Sequence, residues 1–181
     1  MTHPVFYFSF DGPESYLAAE RVLKAVEGPC EWVPIRPATD SGAHRCAEER
    51  EIERARIELI AAERGLQPVR WPPEFDQERV LRAATFAKSI GRAVAFALAA
   101  LRQAYAGGAD LADEDTILIA AAACEMHPRA VLAAVERPGI AAALDEASTL
   151  AAERGVRSTP TVWLPGGTLL EGDAALDEVR A

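Results

Sequence analysis

Residues 5–17 of this chain have the sequence Val5-Phe-Tyr-Phe-Ser-Phe-Asp-Gly-Pro-Glu-Ser-Tyr-Leu17. Their first half, residues 5–10, is an apolar run that ends at the turn pair Asp11-Gly12, which is the pattern of a buried strand. Pro13 then suits the first position of a helix. The next apolar residues recur on one helical face as far as Gly28: Tyr16, Ala19, Leu23 and Val26. The stretch therefore predicts a strand, a tight turn and a helix, in that order.

Further strand patterns lie near the two ends of the chain. Residues 31–35 predict a second strand, and residues 161–164 and 168–171 predict two more, followed by a short helix from Asp173. Helical periodicity fills the rest, at about residues 44–64, 77–89, 92–106, 113–126, 128–136 and 139–154. Residues 93–101 offer no polar face and are expected to be buried. In the first of these helices the predicted buried face is Ile52, Ala55, Leu59 and Ala62.

A β-α-β unit at the start and a β-β-α unit at the end can join into one mixed sheet, which is the thioredoxin arrangement. We therefore predict an α/β fold class, a thioredoxin-like fold with a large all-helical insertion. The thioredoxin-like domain takes residues 1–43 and 137–181, and the helical insert takes residues 44–136. The turn at Gly12 and Pro13 lies where such folds place reactive groups, at the positive end of a helix dipole. A second mark of the arrangement is the Thr159-Pro160 bond directly before a strand.

The composition excludes several classes of partner. The 181 residues carry 19 basic and 28 acidic side chains, a net charge of −9 that repels polyanions, so we expect no nucleic-acid partner. The N-terminus lacks the pattern of a secretory signal, which predicts a cytoplasmic protein. Residues 93–101, the longest nearly uncharged run, are too few to cross a bilayer, so we expect no membrane partner. Cys30, Cys46 and Cys124 form no Cys-x-x-Cys pair, which is typical of a reducing compartment and predicts a cytoplasmic protein.

Four stretches, in this order and spacing, carry a family resemblance: Phe6-Tyr-Phe-Ser-Phe-Asp-Gly-Pro-Glu-Ser-Tyr-Leu-Ala18, Gly65-Leu-Gln-Pro-Val-Arg-Trp-Pro72, Gly91-Arg-Ala-Val-Ala-Phe-Ala97 and Gly155-Val-Arg-Ser-Thr-Pro-Thr161. Together they resemble the 2-hydroxychromene-2-carboxylate isomerases of the DsbA-like thioredoxin superfamily, which are relatives of the kappa-class glutathione transferases. The likeness extends over nearly the whole chain.

This resemblance implies a glutathione cofactor and a homodimer. Glutathione is expected to pair its backbone with Thr159, the residue before a cis-proline at Pro160, and to lie against Pro13 and Asp173. In the family, a serine in the first turn of the helix hydrogen-bonds the glutathione sulfur and favours its thiolate. The thiolate adds to a small aromatic, carboxylated substrate, permits rotation and is then expelled. The net reaction is an isomerisation without redox change.

The chain departs from the family pattern at three positions. The activating serine is expected at position 12, where this chain has Gly12, and Ser9 replaces a frequent aspartate of the first strand. Asp173 is kept, but Ala174 stands where the family has an arginine. Ser15 lies one helical turn after Gly12, on the same side of the helix, and is the candidate to take over the hydrogen bond to sulfur. The candidate catalytic positions are therefore Gly12 and Ser15.

Each candidate residue has a structural alternative. Gly12 is also a common helix cap, and a serine in a first helical turn, such as Ser15, commonly bonds only local backbone. Trp71 is a candidate wall of the substrate pocket or a packing plug between the domain and the insert. Arg70 and Arg92 are candidate clamps for the substrate carboxylate, or solvated surface residues.

Three functions remain open at this point. The leading one is a glutathione-dependent isomerase acting on a small aromatic, carboxylated substrate by reversible thiol addition. The alternative is a non-catalytic thioredoxin-fold protein that binds glutathione or a peptide after losing the activating serine. A thiol–disulfide oxidoreductase is less favoured, because neither Gly12 nor Ser15 is a cysteine. No metal site is expected, because His44 and Cys46 lack a second pair of ligands.

Overall fold

The computed structural model describes residues 3–38 and 46–180. In these residues four strands and eight α-helices precede a closing 3-10 helix. Their bounds are β1 Val5–Phe8, α1 Pro13–Ala19, α2 Val22–Ala25, β2 Glu31–Pro34, α3 Ala47–Glu63, α4 Glu78–Ser89, α5 Ala93–Tyr105, α6 Glu114–Ala123, α7 Pro128–Val135, α8 Pro138–Glu153, β3 Thr161–Trp163, β4 Leu169–Glu171 and the 3-10 helix Ala174–Arg180.

The strands form one mixed sheet in the order β2-β1-β3-β4. β1 pairs parallel to β2 and antiparallel to β3, and β3 pairs antiparallel to β4. In this register Phe6 of β1 lies between Trp32 of β2 and Val162 of β3. The mixed sheet predicted from the two ends of the chain is confirmed.

Both faces of the sheet are covered, which explains why β1 is apolar at every position. On one face Phe6 and Phe8 pack edge-on against Trp32, with ring centroids 4.7 and 5.9 Å away. On the other face Val5 and Tyr7 belong to a smaller cluster with residues of α8 and of the segment after it. The larger core continues from the sheet through α4, α5, α6 and α7. The predicted insert, residues 44–136, therefore shares a core with the sheet.

The helix predicted from Pro13 to Gly28 is divided into α1 and α2. Leu23, assigned to its buried face, is 49% exposed, and Val22 is fully buried instead. The interruption falls at Arg21, whose Nε donates to Asp173 Oδ1 at 3.1 Å and whose Nη2 donates to the Asp173 carbonyl oxygen at 2.6 Å. A contact with a residue so far along the chain leaves no trace in local periodicity, so the continuous helix was a wrong prediction.

The buried face predicted for α3 is also wrong. Ile52 and Leu59 are 71% and 60% exposed, whereas Ile57 and Ala61 are buried. Ion pairs turn charged residues inward instead: Arg56 bonds Glu14 of α1, and Arg64 bonds Asp173. The four residues of the predicted face are all exposed: Ile52, Ala55, Leu59 and Ala62. His44, where the sequence analysis started this helix, lies outside the described residues.

The apolar run at residues 93–101 begins α5 and is only partly buried. Phe96 and Leu101 are fully buried, but Ala95 is exposed and Leu98 is half-buried. The expectation of a wholly buried segment was therefore wrong for one side of the helix. The N-cap predicted at Asp113 is confirmed, because its side chain accepts from Asp115 N at 3.0 Å. No described helix is long and apolar enough to span a bilayer.

Candidate functional site

The site is built on the N-terminus of α1. Gly12 is its N-cap, in an extended conformation with φ −137° and ψ 139°. Pro13 occupies the first helical turn, and Ser15 N donates to Gly12 O at 3.1 Å. Because glycine has no side chain, the N-terminus of α1 has no side-chain cap. Because the φ of Gly12 is one that any residue adopts, the backbone itself does not require glycine here.

Two side chains from the helical insert fasten the turn before Gly12. Gln77 Oε1 accepts from Phe10 N at 2.9 Å, and the Tyr105 hydroxyl donates to Phe10 O at 3.0 Å. The Tyr105 ring is buried and stacks on Tyr16 of α1, with centroids 6.1 Å apart. Burial raises the pKa of Tyr105, and the nearby Asp11 carboxylate raises that pKa further. The Tyr105 hydroxyl therefore stays neutral and keeps its hydrogen for Phe10 O. This bond and the one from Phe10 N to Gln77 hold the turn before Gly12 in place.

The second wall of the site is the turn before β3. The Thr159–Pro160 peptide bond is cis, as the resemblance implied. Thr161 Oγ1 donates to Ser158 O at 2.8 Å, and Gly172 N donates to Pro160 O at 2.8 Å. The backbone N–H and C=O of Thr159 form no hydrogen bond with the rest of the described chain. This residue therefore presents an unpaired donor and acceptor beside the end of the sheet.

Hydrogen bonds bring this turn to the start of α1. The Ser9 and Thr159 hydroxyl oxygens lie 2.5 Å apart, and Ser9 Oγ donates to Asp11 Oδ1. A Cβ placed on Gly172, the partner of the proline turn, would lie 3.3 Å from Glu14 Oε2. The segment before α1 and the first turn of α1 therefore lie against the cis-proline turn.

Ser15 occupies an unusual position in this site. Its side chain is fully buried, and its Oγ has no hydrogen-bond partner among the described residues. A buried hydroxyl without a partner costs about 1–3 kcal/mol. Most such groups in native proteins are satisfied. The predicted role of Ser15 at a ligand sulfur stays a prediction, and its unused hydroxyl is consistent with it.

Asp173 is held by two arginines that the sequence analysis did not assign to the site. Its side chain is 3% exposed. Arg64 Nη1 donates to Oδ1 at 3.0 Å and Arg64 Nη2 to Oδ2 at 2.6 Å, and Arg21 Nε reaches Oδ1 from the other side. Arg64 follows the last residue of α3, and Arg21 lies between α1 and α2, so Asp173 joins these two segments to its own. No local sequence signal marks these two arginines.

The predicted substrate residues lie on the insert. Trp71 is half-buried, its Nε1 donates to Glu58 Oε1 at 2.8 Å, and the Arg54 guanidinium lies 5.2 Å from its ring centre. Both partners lie on α3, within the insert, and the Trp71 ring also packs against the larger core, so the predicted substrate role of Trp71 stays a prediction. Arg70 is exposed and connects to the site through its backbone, because Arg70 N donates to Tyr105 O at 2.8 Å. Arg92, the other candidate clamp, is exposed and pairs with Glu125 at 3.0 Å.

The cysteines lie away from this site. Burial raises the pKa of Cys30 to about 11 and also raises the pKa of Cys124, which disfavours their thiolates. Cys46 is exposed and caps the N-terminus of α3. Within residues 3–38 and 46–180, no group of His, Cys, Asp or Glu has the makeup of a metal site.

The fold of this chain is similar to that of several solved structures. Among solved structures, a 2-hydroxychromene-2-carboxylate isomerase superposes with a TM-score of 0.85 and 17% identity, covering 99% of this chain and 93% of that one. A probable DsbA oxidoreductase from Streptomyces coelicolor gives 0.79 and 17%, covering 99% and 90%. The cytosolic disulfide reductase DsbM from Pseudomonas aeruginosa, solved with GSH, gives 0.67 and 17%, covering 98% and 95%.

These identities show a shared fold. No curated protein sequence matches the chain. A family model for the DSBA-like thioredoxin domain matches residues 5–181, from the first residue of β1 to the C-terminus. That range takes in the start of α1, the cis-proline turn and the helices between them. The chain belongs to the DsbA-like thioredoxin domain family.

Proposed function

We propose that the protein is a glutathione-dependent isomerase of a small aromatic, carboxylated substrate. One observation carries the proposal: the helix terminus and the cis-proline turn of a thioredoxin-type site are both present, but the helix carries Gly12 and Ser15 where a disulfide-exchanging enzyme carries cysteine. Thiol chemistry at this place therefore needs a thiol that a ligand brings. A structural neighbour that is an isomerase, and another solved with GSH, support this choice.

The backbone of Thr159 supports glutathione as that ligand. Its N–H and C=O are unpaired within the described chain, and they stand next to the cis-proline. A peptide can pair with such groups as an added strand, which fixes its direction and depth. The central cysteinyl residue of glutathione would then direct its sulfur toward the N-terminus of α1, the positive end of the helix dipole.

The reaction follows from that placement. The thiolate adds to the conjugated double bond of the substrate, the resulting single bond rotates, and expulsion of the thiolate restores the double bond as the other isomer. Ser15 Oγ is the side-chain donor available near the sulfur. Arg70 is exposed and forms no salt bridge with a described carboxylate, so it is the cation suited to the substrate carboxylate.

Calorimetric titration with glutathione tests the proposal, and the ultraviolet absorbance of the complex then shows whether the bound sulfur is ionised. Gly12→Ser should add a hydroxyl near the sulfur and raise isomerase activity by a factor that corresponds to at most about 1.5–3 kcal/mol. Ser15→Ala should lower activity by a similar factor if Ser15 already serves the sulfur. Ser89→Ala is the matched control, because Ser89 is exposed on α4 and bonds only its own helix. A wild-type protein that binds no glutathione refutes the proposal.

A second candidate is a binding protein without catalysis. Ser15, Thr159 and Asp173 are all buried, and the Asp173 carboxylate is already occupied by Arg21 and Arg64. Gly12 also lacks the hydroxyl that activates sulfur in the resembled family, so a ligand can bind here without activation of its thiol. Glutathione or peptide binding without turnover of any 2-hydroxychromene carboxylate, in the wild type and in Gly12→Ser alike, would favour this candidate.

A cysteine-free variant tests the remaining alternative, a thiol–disulfide oxidoreductase. Replacing Cys30, Cys46 and Cys124 with alanine should leave the isomerase reaction unchanged, because none of these thiols lies at the start of α1. Loss of activity in this variant, with the fold retained, would indicate that one of the chain's own thiols takes part.

A further inference from the structure

Three polar side chains form a continuous hydrogen-bond chain behind the cis-proline turn. Ser9 Oγ donates to Asp11 Oδ1, and Ser9 Oγ lies 2.5 Å from Thr159 Oγ1. Ser9 is fully buried, Thr159 is 7% exposed, and Asp11 is half-buried. The chain therefore leads from a carboxylate near the surface to a hydroxyl next to Pro160.

The donor and the acceptor in each of these hydrogen bonds follow from the number of hydrogens available. A serine hydroxyl has one hydrogen, and that of Ser9 points to the Asp11 carboxylate, which has none to give when ionised. The hydrogen between Ser9 and Thr159 must therefore come from Thr159. With its own hydrogen committed to Ser9, Thr159 Oγ1 can only accept a hydrogen bond from a ligand.

An acceptor at this place fits a protonated thiol. Thr159 is also the residue whose free backbone is suited to hold glutathione, so a sulfur bound there lies close to Thr159 Oγ1. Gly12 offers no hydroxyl to stabilise a preformed thiolate. A thiol that stays protonated until it attacks needs a base at the moment of attack.

We propose that Asp11, acting through Ser9 and Thr159, is the base that removes the thiol proton in the glutathione-dependent reaction, an inference that rests on the proposed function. As the carbon–sulfur bond forms, the S–H proton moves to Thr159 Oγ1. The Thr159 proton moves to Ser9 Oγ, and the Ser9 proton moves to Asp11. The three transfers run in reverse when the thiol is expelled, so no proton is gained or lost over the cycle.

The surroundings favour such a relay. Burial of Ser9 and Thr159 keeps water from competing for their hydrogen bonds, and hydrogen bonds are electrostatically stronger in such an interior than in water. Tyr105 lies near Asp11, but its hydroxyl donates to the Phe10 carbonyl. It therefore does not compete with Ser9 for the Asp11 carboxylate. The relay thus provides for thiol deprotonation in a chain that lacks the family serine.

Asp11→Asn is the most direct test, because the amide keeps an oxygen that accepts from Ser9 but takes up no proton. With saturating glutathione, it should lower kcat by about 100-fold, the scale of general-base catalysis. The dissociation constant of glutathione, measured by calorimetry, should not rise. Asp76→Asn is the control, because Asp76 is an exposed carboxylate whose one hydrogen bond within residues 3–38 and 46–180 comes from the nearby Glu78 N. The solvent deuterium isotope effect on kcat should change in Asp11→Asn and not in the control.

Thr159→Ser and Thr159→Val separate the relay from a structural role. The serine variant keeps the hydroxyl and should retain most of kcat, whereas the valine variant should lose about 100-fold. Thr85→Val is the matched control, because Thr85 is equally buried at 7% and its hydroxyl, among the described residues, bonds Leu81 O of its own helix alone. Thermal unfolding checks that each variant is folded. If the valine variant does not fold, the kcat values of Asp11→Asn and Thr159→Ser still decide between the proton relay and a structural role.

The outcomes distinguish the relay from the function on which it rests. Normal kcat in Asp11→Asn, or equal losses in Thr159→Ser and Thr159→Val, overturns the relay and leaves the glutathione-dependent reaction standing. A wild-type protein that binds no glutathione, or binds it without turnover, overturns both.

Discussion

Replacing Asp173 with alanine removes the carboxylate that joins three separate segments. Its oxygens accept from Arg64 of the α3 C-terminus at 2.6 and 3.0 Å and from Arg21 between α1 and α2 at 3.1 Å. Asp173 itself is 3% exposed. In the variant, the guanidiniums of Arg21 and Arg64 therefore lose the carboxylate with which they pair.

The expected cost follows from the burial of the partners. Removing one partner of a fully buried ion pair costs about 3–5 kcal/mol. Here Arg21 and Arg64 are 21% and 25% exposed, so water replaces part of the lost interaction. Arg21 also keeps its bond to Asp177 at 2.6 Å. We therefore expect Asp173→Ala to lower the free energy of unfolding by about 2–3 kcal/mol, and Asp173→Asn by less, because the amide oxygen still accepts.

Urea unfolding followed by circular dichroism measures this loss. Asp177→Ala is the control, because Asp177 binds the same Arg21 but is 70% exposed, and exposed pairs contribute at most about 1 kcal/mol. A double-mutant cycle with Arg64→Ala should show a coupling energy of about 0.5–3 kcal/mol. A loss of stability in Asp173→Ala no larger than that of the control would refute the structural role of Asp173. The predicted contact with glutathione would then be its remaining role.

Three further predictions concern other parts of the molecule. Hydrogen bonds from Arg36 help to lower the pKa of Glu78 from 4.5 to about 2, so its stabilisation is complete above pH 4.5 and is lost as the pH falls toward 2. Urea unfolding of Glu78→Gln should therefore differ from wild type most at neutral pH and least near pH 2; a constant difference would contradict this. Tyr105→Phe removes the hydrogen bond that fastens the turn before α1 and should cost about 1–3 kcal/mol in thermal unfolding, whereas an unchanged stability would show that the contact is dispensable. At pH 8, iodoacetamide should modify the exposed Cys46 before Cys30, whose pKa burial raises to about 11; mass spectrometry showing the reverse order would contradict the assigned environments.

Local sequence signals were sufficient for most elements. Pro13 opens α1, Asp113 caps α6, and Gly166 and Gly167 take positive φ values of 110° and 95° in the turn between β3 and β4. In each case the residue's own backbone or side-chain preference determines the local structure. The order of these elements was then enough to predict the mixed sheet.

The residues within the site were only partly predictable. Gly12, Thr159 and Pro160 were singled out by resemblance, and Ser15 by its place one helical turn after Gly12; the structure confirms the cis bond before Pro160. Tyr105, whose hydroxyl holds the turn, was missed, because its partner is a backbone carbonyl 95 residues away and any tyrosine on a helix has the same local pattern.

The sequence by itself determined the strands, most helix ends, the mixed sheet and the absence of a cysteine at the start of α1, since each depends on residue type and near neighbours. Only the tertiary structure decided where the helix after Pro13 breaks, which face of α3 is buried, and which side chains form hydrogen bonds at the site. Arg21 and Asp173 are 152 residues apart in sequence, and Ser9 and Thr159 are 150 apart. Such contacts depend on how whole helices pack against the sheet, and that packing has no counterpart in the spacing of residues along the chain.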